Sequence, residues 1–547
     1  NNNTVSFNES DSLNFIEAPY LIEFQNNSFN ENIVHSGMFL NSSNRVHFSN
    51  NSFDGNQVLS GDMINTMTEY VISDANLDEI NYPLIIADNN FSSNTIYGSI
   101  LKAENIANCT GNEIIACQVY NADLVDIKTI KGFSNNMFNN NSTYYSGFDN
   151  DTLQVDSLGF SLIKLDLVNN DEILELQNNQ INNNSFQGYL VKMDGGDFNL
   201  INNYISGNTS TIPIDNNMLS HGEGSALWLN TDGGTVVLQD NTLINNSGHL
   251  RGAGVYVNTI DSLYIDDNIF SMNQLQGEES RGGALYINNG NCIINNNTFS
   301  LNRSKYGSAV VFEENAIVSI EANTINNNFG EYAVWGNPIS LTQNNLYSNI
   351  DEINNEINNF RYTGIDSSVY IYNFWGTRSD QGEIDPSIYD DDESSGDIGE
   401  IFYQPILTSP SDLVQNSTDS VSGLYFTATA YPDQVITEAY ITVGSFDIVL
   451  TGVDGNEYSQ DFELLTVMNL NNYLLVPPIA LETEINSGVF RSTIILSDNI
   501  YNPVENIMWA SHGGSLLITS ASDHSFELII PVFDYNLDIP DSIQFNE

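Results

Sequence analysis

Twelve times in its first 349 residues the chain repeats Asn-x-apolar-x-x-Asn, with copies beginning at Asn3, Asn27, Asn51, Asn89, Asn136, Asn179, Asn203, Asn241, Asn268, Asn297, Asn323 and Asn344. Successive copies lie 21 to 47 residues apart, and 24 is the commonest step. A fixed short motif at that period is the signature of stacked supersecondary units, so the repeat predicts a solenoid. The longest gap hides a weak copy, read here as Ala107 to Asn112 with Cys109 in the apolar slot.

Short runs such as Thr235-Val236-Val237-Leu238 and Cys292-Ile293-Ile294 precede the Asn turn, and Gly-led runs such as Gly224-Ser225-Ala226-Leu227 and Gly282-Gly283-Ala284-Leu285 follow it. These predict three short strands per coil. Alternation places the first Asn and the apolar residue two later on one face, which predicts an internal Asn ladder beside a Phe/Ile/Leu stack. The first Asn is expected to take the left-handed conformation of a sharp bend. The second Asn, by the same parity, is expected to face outward.

Asn content marks a domain boundary, with 70 Asn in the first 359 residues and 11 in the last 140. Residues 1–405 are assigned to the solenoid, ending in an acidic loop from Glu383 to Glu400, and residues 408–547 to a second all-β domain. There, strand-like runs such as Leu424 to Ala430, Phe446 to Thr451, Phe490 to Leu496 and Ser525 to Val532 recur at sandwich-like intervals. An immunoglobulin-like or fibronectin-like β-sandwich is expected, with a carbohydrate-binding jelly roll as the alternative.

The Phe-x-x-Asn copies (Phe29 to Asn32, Phe53 to Asn56, Phe91 to Asn94, Phe138 to Asn141, Phe270 to Asn273, Phe299 to Asn302) and Gly282-Gly283-Ala284-Leu285 together resemble the repeats of polymorphic outer-membrane proteins and related eukaryotic surface proteins. The resemblance implies a right-handed parallel β-helix over roughly residues 1 to 405. Several copies depart from it by using Ile or Leu for Phe. The segment Asn373-Phe374-Trp375-Gly376-Thr377, with Ile384 and Pro405 downstream, is similar to the terminal coil of pectin-lyase-like β-helices, a mark of fold and not of activity.

The formal charge is −57, with 13 Lys and Arg read as spread along the chain without a basic stripe, so nucleic acid and anionic membrane surfaces are unsuited partners. No apolar run spans a bilayer, and the chain opens on Asn without a signal-type segment, which reads as a mature or truncated chain. The first copy starts at Asn3 without a preceding strand. Two readings stand: a piece of a longer solenoid, or an open end that docks head-to-tail on another copy or on other surface proteins.

For chemistry, Asn230-Thr231-Asp232 and Asp266-Asp267 look like fragments of the polygalacturonase set, whose Gly-His-Gly and Arg-Ile-Lys are missing. His221, His249 and His512 sit in loop-like contexts without an orienting carboxylate motif. Asp390, Asp391, Asp392 and Glu393 crowd hard oxygen ligands and form a candidate calcium site, although without the spacing of an EF-hand loop they read equally as a hydrated charge run. No other cofactor is indicated. Three cysteines are too few to staple the chain: Cys292 reads as a buried small hydrophobe, and Cys109 and Cys117 pair only if the chain turns between them.

Sixteen Asn-x-Ser/Thr sequons occur, at Asn2, Asn8, Asn26, Asn41, Asn50, Asn90, Asn108, Asn140, Asn141, Asn150, Asn183, Asn208, Asn245, Asn296, Asn302 and Asn416. None falls on a first-position Asn, because an apolar residue occupies its hydroxyl slot. They fall chiefly just before a ladder Asn or on the second Asn, both expected as solvent-facing corners. The sequence therefore predicts a non-enzymatic extracellular structural or adhesive cell-surface glycoprotein. A polysaccharide-active enzyme or glycan-binding module is the alternative.

Overall fold

In the computed structural model the chain divides into two compact units, Asn1–Val414 and Gln415–Glu547. The structure describes 2–11, 14–17, 23–42, 47–66, 84–144, 160–166, 173–211, 226–231, 233–258, 260–351, 356–375, 384–390 and 398–407 of the first. Of the second it describes 421–428, 431–436, 439–440, 445–452, 462–469, 475–476, 479–483, 489–497, 506–511, 513–520 and 527–533.

The first unit is a parallel β-solenoid of three sheets. The first sheet stacks 13 strands, from Thr4–Ser6 to Asn345–Tyr347, each following a first-position Asn. The second stacks ten strands, from Glu9–Ser10 to Gln274–Leu275, each following the second position of a copy. The third holds 24 strands because it takes two from most coils, such as Leu227–Asn230 and Thr235–Gln239. In two neighbouring coils these fuse into the ten-residue strands Leu101–Thr110 and Val125–Ser134. Four strands per coil thus replace the three expected, since the Gly-led run and the run before the Asn turn share one sheet.

The apolar slot of every copy stacks in register along the first sheet. Phe29 pairs with Phe53, Phe53 with Phe91, Phe270 with Phe299, and Phe299 with Ile325. Phe29 and Phe53 stack with ring centroids 5.1 Å apart, and Phe270 and Phe299 at 4.9 Å. Removing one such Phe from water contributes about 2–3 kcal/mol, and six Phe in line with the Ile, Leu and Val of the other copies make the spine of the core. The intact Gly-Gly-Ala packs as tightly: a Cβ on Gly283 would stand 2.2 Å from the Ser308 carbonyl oxygen of the next coil.

Both Asn positions of each copy point inward, forming two ladders rather than one. In the first, Asn268 donates from its backbone N and its Nδ2 to Asn297 Oδ1, at 2.8 and 3.0 Å, and from Nδ2 back to the Leu238 carbonyl at 2.8 Å. In the second, Asn273 repeats the pattern toward Asn302 Oδ1 and Leu243 O. The second-position residues Asn32, Asn56, Asn94, Asn141, Asn184, Asn208, Asn246, Asn273, Asn302, Asn328 and Asn349 are all buried. Their expected outward orientation is therefore corrected.

The cause lies one residue earlier. The left-handed conformation belongs to the residue before each rung, not to the rung: Asn26, Asn50, Asp240, Asp267 and Asn296 before the first, Glu31, Ser93, Asn140, Asn183, Met272 and Leu301 before the second, with φ of +54° to +58°. A single left-handed residue breaks strand alternation and swings the next side chain back into the core. The variable lengths between copies fall outside the two rungs, so the five-residue step from first to second rung is kept from Asn3 and Asn8 to Asn344 and Asn349.

The weak copy is displaced by one frame from the expected Ala107 to Asn112. Asn112 is a first-ladder rung and donates to Asn136 Oδ1 at 3.0 Å; Ile114 fills the apolar slot, and Cys117 takes the second rung. Its thiol receives Asn94 Nδ2 at 3.7 Å and reaches the Phe91 carbonyl at 3.4 Å, where every neighbour has an amide. All three cysteines are free and buried, and burial pushes the thiols of Cys109 and Cys117 up to about 12 and about 11. A thiol is a weak partner, so Cys117→Asn is expected to complete the ladder and add about 1 kcal/mol. A urea midpoint unchanged or lowered by that substitution would count against the reading.

The terminal coil continues both ladders. Asn344 donates to Asn373 Oδ1 at 3.1 Å, and Asn349 to Asn359 Oδ1 at 2.9 Å. Trp375 is buried and meets Tyr403 edge-on at 6.4 Å.

The C-terminal unit is a mainly antiparallel β-structure around its own core, which includes Phe446, Ile448, Val467, Phe490, Ile494, Ile518 and Ile530. Strand Phe462–Asn469 pairs with Ile479–Glu482 through its first half and with Ser515–Ser520 through its second, so it passes from one group of strands to another. That strand and Tyr431–Ile436 were not anticipated from sequence.

Candidate functional site

The outer face of the third sheet collects the most concentrated chemistry of the solenoid. One column runs in register from Lys164 through Lys192, Trp228, Tyr256, Tyr286, Val311, Trp335 and Arg361 to Tyr389. Alternation puts these side chains outside, since Leu227, Val255, Leu285 and Val310 beside them fill the core. Trp228, Tyr256, Tyr286 and Val311 form a separate buried cluster, with Tyr189 and Trp335 against it.

Cations lie across these rings. Lys192 Nζ stands 4.9 Å from the Trp228 ring, Arg251 5.1 Å from Tyr286, and Arg361 4.0 Å from Trp335 and 4.4 Å from Tyr389. Arg281 and Lys305 flank Tyr306, and Arg303 covers Phe329. Carboxylates complete the set: Lys164 with Asp166 at 2.9 Å, Lys192 with Asp194 at 3.5 Å, Arg281 with Glu313 at 3.5 Å, and Arg361 with Glu331 at 3.1 Å. Seven of the 13 Lys and Arg thus gather in adjoining coils, which corrects their reading as spread along the length. Each bridges one coil to another or braces a ring, so the cluster fastens the stack as cation–π and ion-pair contacts.

Beside this column runs a polar one. Asn230 donates to Asp194 at 2.8 Å, Asn258 to Asn230 at 3.0 Å, and Asn288 to the Asn258 carbonyl at 3.2 Å. Asn230 of the polygalacturonase-like fragment is thereby engaged with its register neighbours. Thr231 is buried and bonds the Gly234 carbonyl, and Asp232 lies outside the described residues. Asp266 ends a different strand, aligned with Gln239 and Asn295, and Asp267 occupies a left-handed corner next to the corner Asp240 of the preceding coil. The fragments therefore stand on separate strands. Partial burial, with Asp266 and Asp240 near, pushes the Asp267 carboxyl up to about 6.

The sequons separate by position. Asn2, Asn26, Asn50, Asn140 and Asn183 are exposed left-handed corners, and Asn245 and Asn296 are half-buried ones. In each the middle residue of the sequon is a rung and the Ser or Thr opens the next strand. Asn141, Asn208 and Asn302 are themselves rungs, with relative exposures of 1%, 0% and 0%, and their Nδ2 atoms are committed to carbonyls and to the next rung. A glycan on that nitrogen is incompatible with the ladder. Asn8, the end rung, and Asn108 are exposed, Asn41 and Asn90 half-buried, and Asn150 and Asn416 lie outside the described residues.

Of the candidate calcium ligands, Asp390 accepts the Ile401 backbone N–H at 2.9 Å, and Asp391, Asp392 and Glu393 lie outside the described residues. Among the described residues the one cluster with mixed metal-ligating side chains joins Glu9 and Asp11 to His35 of the next coil. His35 Nε2 is 2.6 Å from Glu9 Oε1, an exposed side-chain hydrogen bond that accounts for the geometry. His249 is half-buried, while His221 and His512 lie outside the described residues. Among the described residues the most perturbed acid is Asp123, which sequence inspection missed: burial, with Asp126 and Asp166 near, pushes its carboxyl up to about 7 against the opposing hydrogen bond from Ser161 N and the charge of Lys164.

Among the described residues no helix is long and apolar enough to cross a membrane. No curated protein and no solved structure matches the chain. Residues 163–302 match the family model described as a right-handed beta helix region, and with the parallel in-register sheets this makes the solenoid a right-handed parallel β-helix.

Proposed function

We propose that the chain is a non-enzymatic, extracellular structural or adhesive surface glycoprotein. The observation that carries the reading is the seven Asn-Asn-Ser/Thr sequons whose first Asn is a left-handed corner, outside the core, while the rung beside it holds the coil. A corner of that kind accepts a glycan without cost to the stack. The resemblance to polymorphic outer-membrane protein repeats supports a surface location. The strand that passes between two groups of strands supports an immunoglobulin-like or fibronectin-like sandwich for the C-terminal unit. The cations, engaged within the stack, suit a structural role better than an anion-binding surface.

Peptide mapping of native material, with enzymatic deglycosylation in heavy-oxygen water, tests this. Occupancy is expected at corners such as Asn26, Asn50, Asn140 and Asn183, and none at Asn141, Asn208 or Asn302. Unmodified Asn at every corner would remove the glycoprotein reading.

A polysaccharide-active enzyme is the second reading; the separation of Asn230 from Asp266 and Asp267 favours the first.

A further inference from the structure

We infer that the groove between the two strand sets of the third sheet, from Gly233 to Ile317, binds an uncharged saccharide. It is a cavity of about 370 Å³, lined by Gly233, Ile260, Asp261, Asn289 to Asn291, Asn315 and Ile317, which come from four successive coils. That volume lies at the lower end of the roughly 300–1,000 Å³ typical of ligand pockets.

Its lining has the chemistry a sugar demands. Hydroxyl groups need acceptors and donors side by side, and the C–H faces of a pyranose need apolar walls. Asp261, Asn289, Asn291 and Asn315 are exposed in the groove, and the Asp261 carboxylate and the Asn289 and Asn315 amides have no hydrogen-bond partner among the described residues. Ile317, which is exposed, supplies apolar wall, while Ile260 is buried beneath the groove. Gly290 keeps the backbone bare: its φ is +131°, and a Cβ there would stand 2.4 Å from Ile260 Cγ2. On the same outer face Tyr264, 43% exposed, pairs with Ile293, 41% exposed, two residues beyond the Ser262–Asn291 pair and so about 7 Å further along the strand. That ring is a stacking platform at the groove's end.

Other occupants fit less well. Among the described residues the groove's one ionisable group is a carboxylate, on a chain of formal charge −57, which repels an anion. A single carboxylate, with amides spread over four coils or roughly 14 Å, cannot close the shell of one calcium ion. The coils' backbone groups are spent on their neighbours, leaving no edge for a peptide strand.

The inference rests on the adhesive reading for its biological role, but titration with free sugars and mapping of the chain's own sequons fail independently. The test is saturation-transfer NMR and calorimetry on the whole chain with glucose, galactose, mannose, N-acetylglucosamine and their uncharged oligosaccharides. At least one should saturate, and Asp261→Ala and Tyr264→Ala should each weaken it about tenfold, as expected for loss of a charged hydrogen-bond acceptor or of a stacking ring. Both substitutions lie on the exposed face, and an unchanged thermal midpoint verifies folding. Absence of transfer from every sugar would overturn the proposal, as would an affinity that neither substitution alters.

Discussion

Asn273→Asp is expected to open the surrounding coils at neutral pH and to be largely restored near pH 4. Asn273 is fully buried; its Oδ1 accepts from Asn246 N and Nδ2 at 3.2 and 3.0 Å, while its Nδ2 donates to the Leu243 carbonyl at 2.8 Å and to Asn302 Oδ1 at 3.1 Å. A carboxylate keeps the acceptor side but faces two oxygens on the other, and it is an uncompensated buried charge costing several kcal/mol. Protonation gives back one donor and removes the charge. Asn273→Ala, which orphans the Asn246 N–H and the Leu243 carbonyl, should cost about 3–5 kcal/mol at every pH. Asn289→Asp, on an exposed turn, is the control, within about 0.5 kcal/mol of the parent. Thermal midpoints and amide exchange at pH 7 and pH 4 decide it; equal losses at both would show that Asn273 contributes volume and not donors.

The second large effect is a loss of stability with rising pH that originates at Asp123. Its folded carboxyl titrates at about 7, raised chiefly by burial, against an ordinary value of 3.8. A carboxyl raised on folding binds its proton more tightly in the native state. Its stabilisation is therefore complete below pH 4 and is lost as pH climbs through about 7. A shift of that size corresponds to about 4 kcal/mol. Asp123→Asn keeps an oxygen to accept the Ser161 N–H and carries no charge, so it should raise the midpoint at pH 8 and leave it nearly unchanged at pH 4. Asp267, raised to about 6 at a more exposed corner, adds a smaller change of the same sign. A parent chain equally stable at pH 5 and pH 8 would refute both.

The repeat was legible because its first half obeys simple parity. Asn27 and Phe29 are two apart on one strand, share a face, and are both buried. The second half misleads by the same rule: Asn32, five residues after Asn27, counts as outward on an unbroken strand. The left-handed Glu31 breaks that count. Glu31, Met272 and Leu301 carry no Gly or Asn signature for such a turn, so the conformation is imposed by the coils above and below and not by local preference. Cys117 escaped notice because a thiol stands in for an amide only once Asn94 and Asn141 are seen on either side.

Functional residues divide in the same way. Sequons are local and could be counted from sequence, but their environments could not: Asn140 and Asn141 are adjacent, and one is an exposed corner while the other is a buried rung. Lys192, Trp228, Arg251 and Tyr286 look unrelated along the chain and meet only because successive coils place them within reach. The groove at Asp261 likewise draws on four coils and has no linear motif.

The sequence alone thus determined that the chain is a stack of β coils with an Asn-lined, aromatic-filled interior, because the repeat encodes one coil at a time. Only the tertiary structure decided which Asn face inward, where the cations gather and which acid binds its proton more tightly on folding. Those outcomes depend on the register between coils and on burial, and neither is a property of any single repeat.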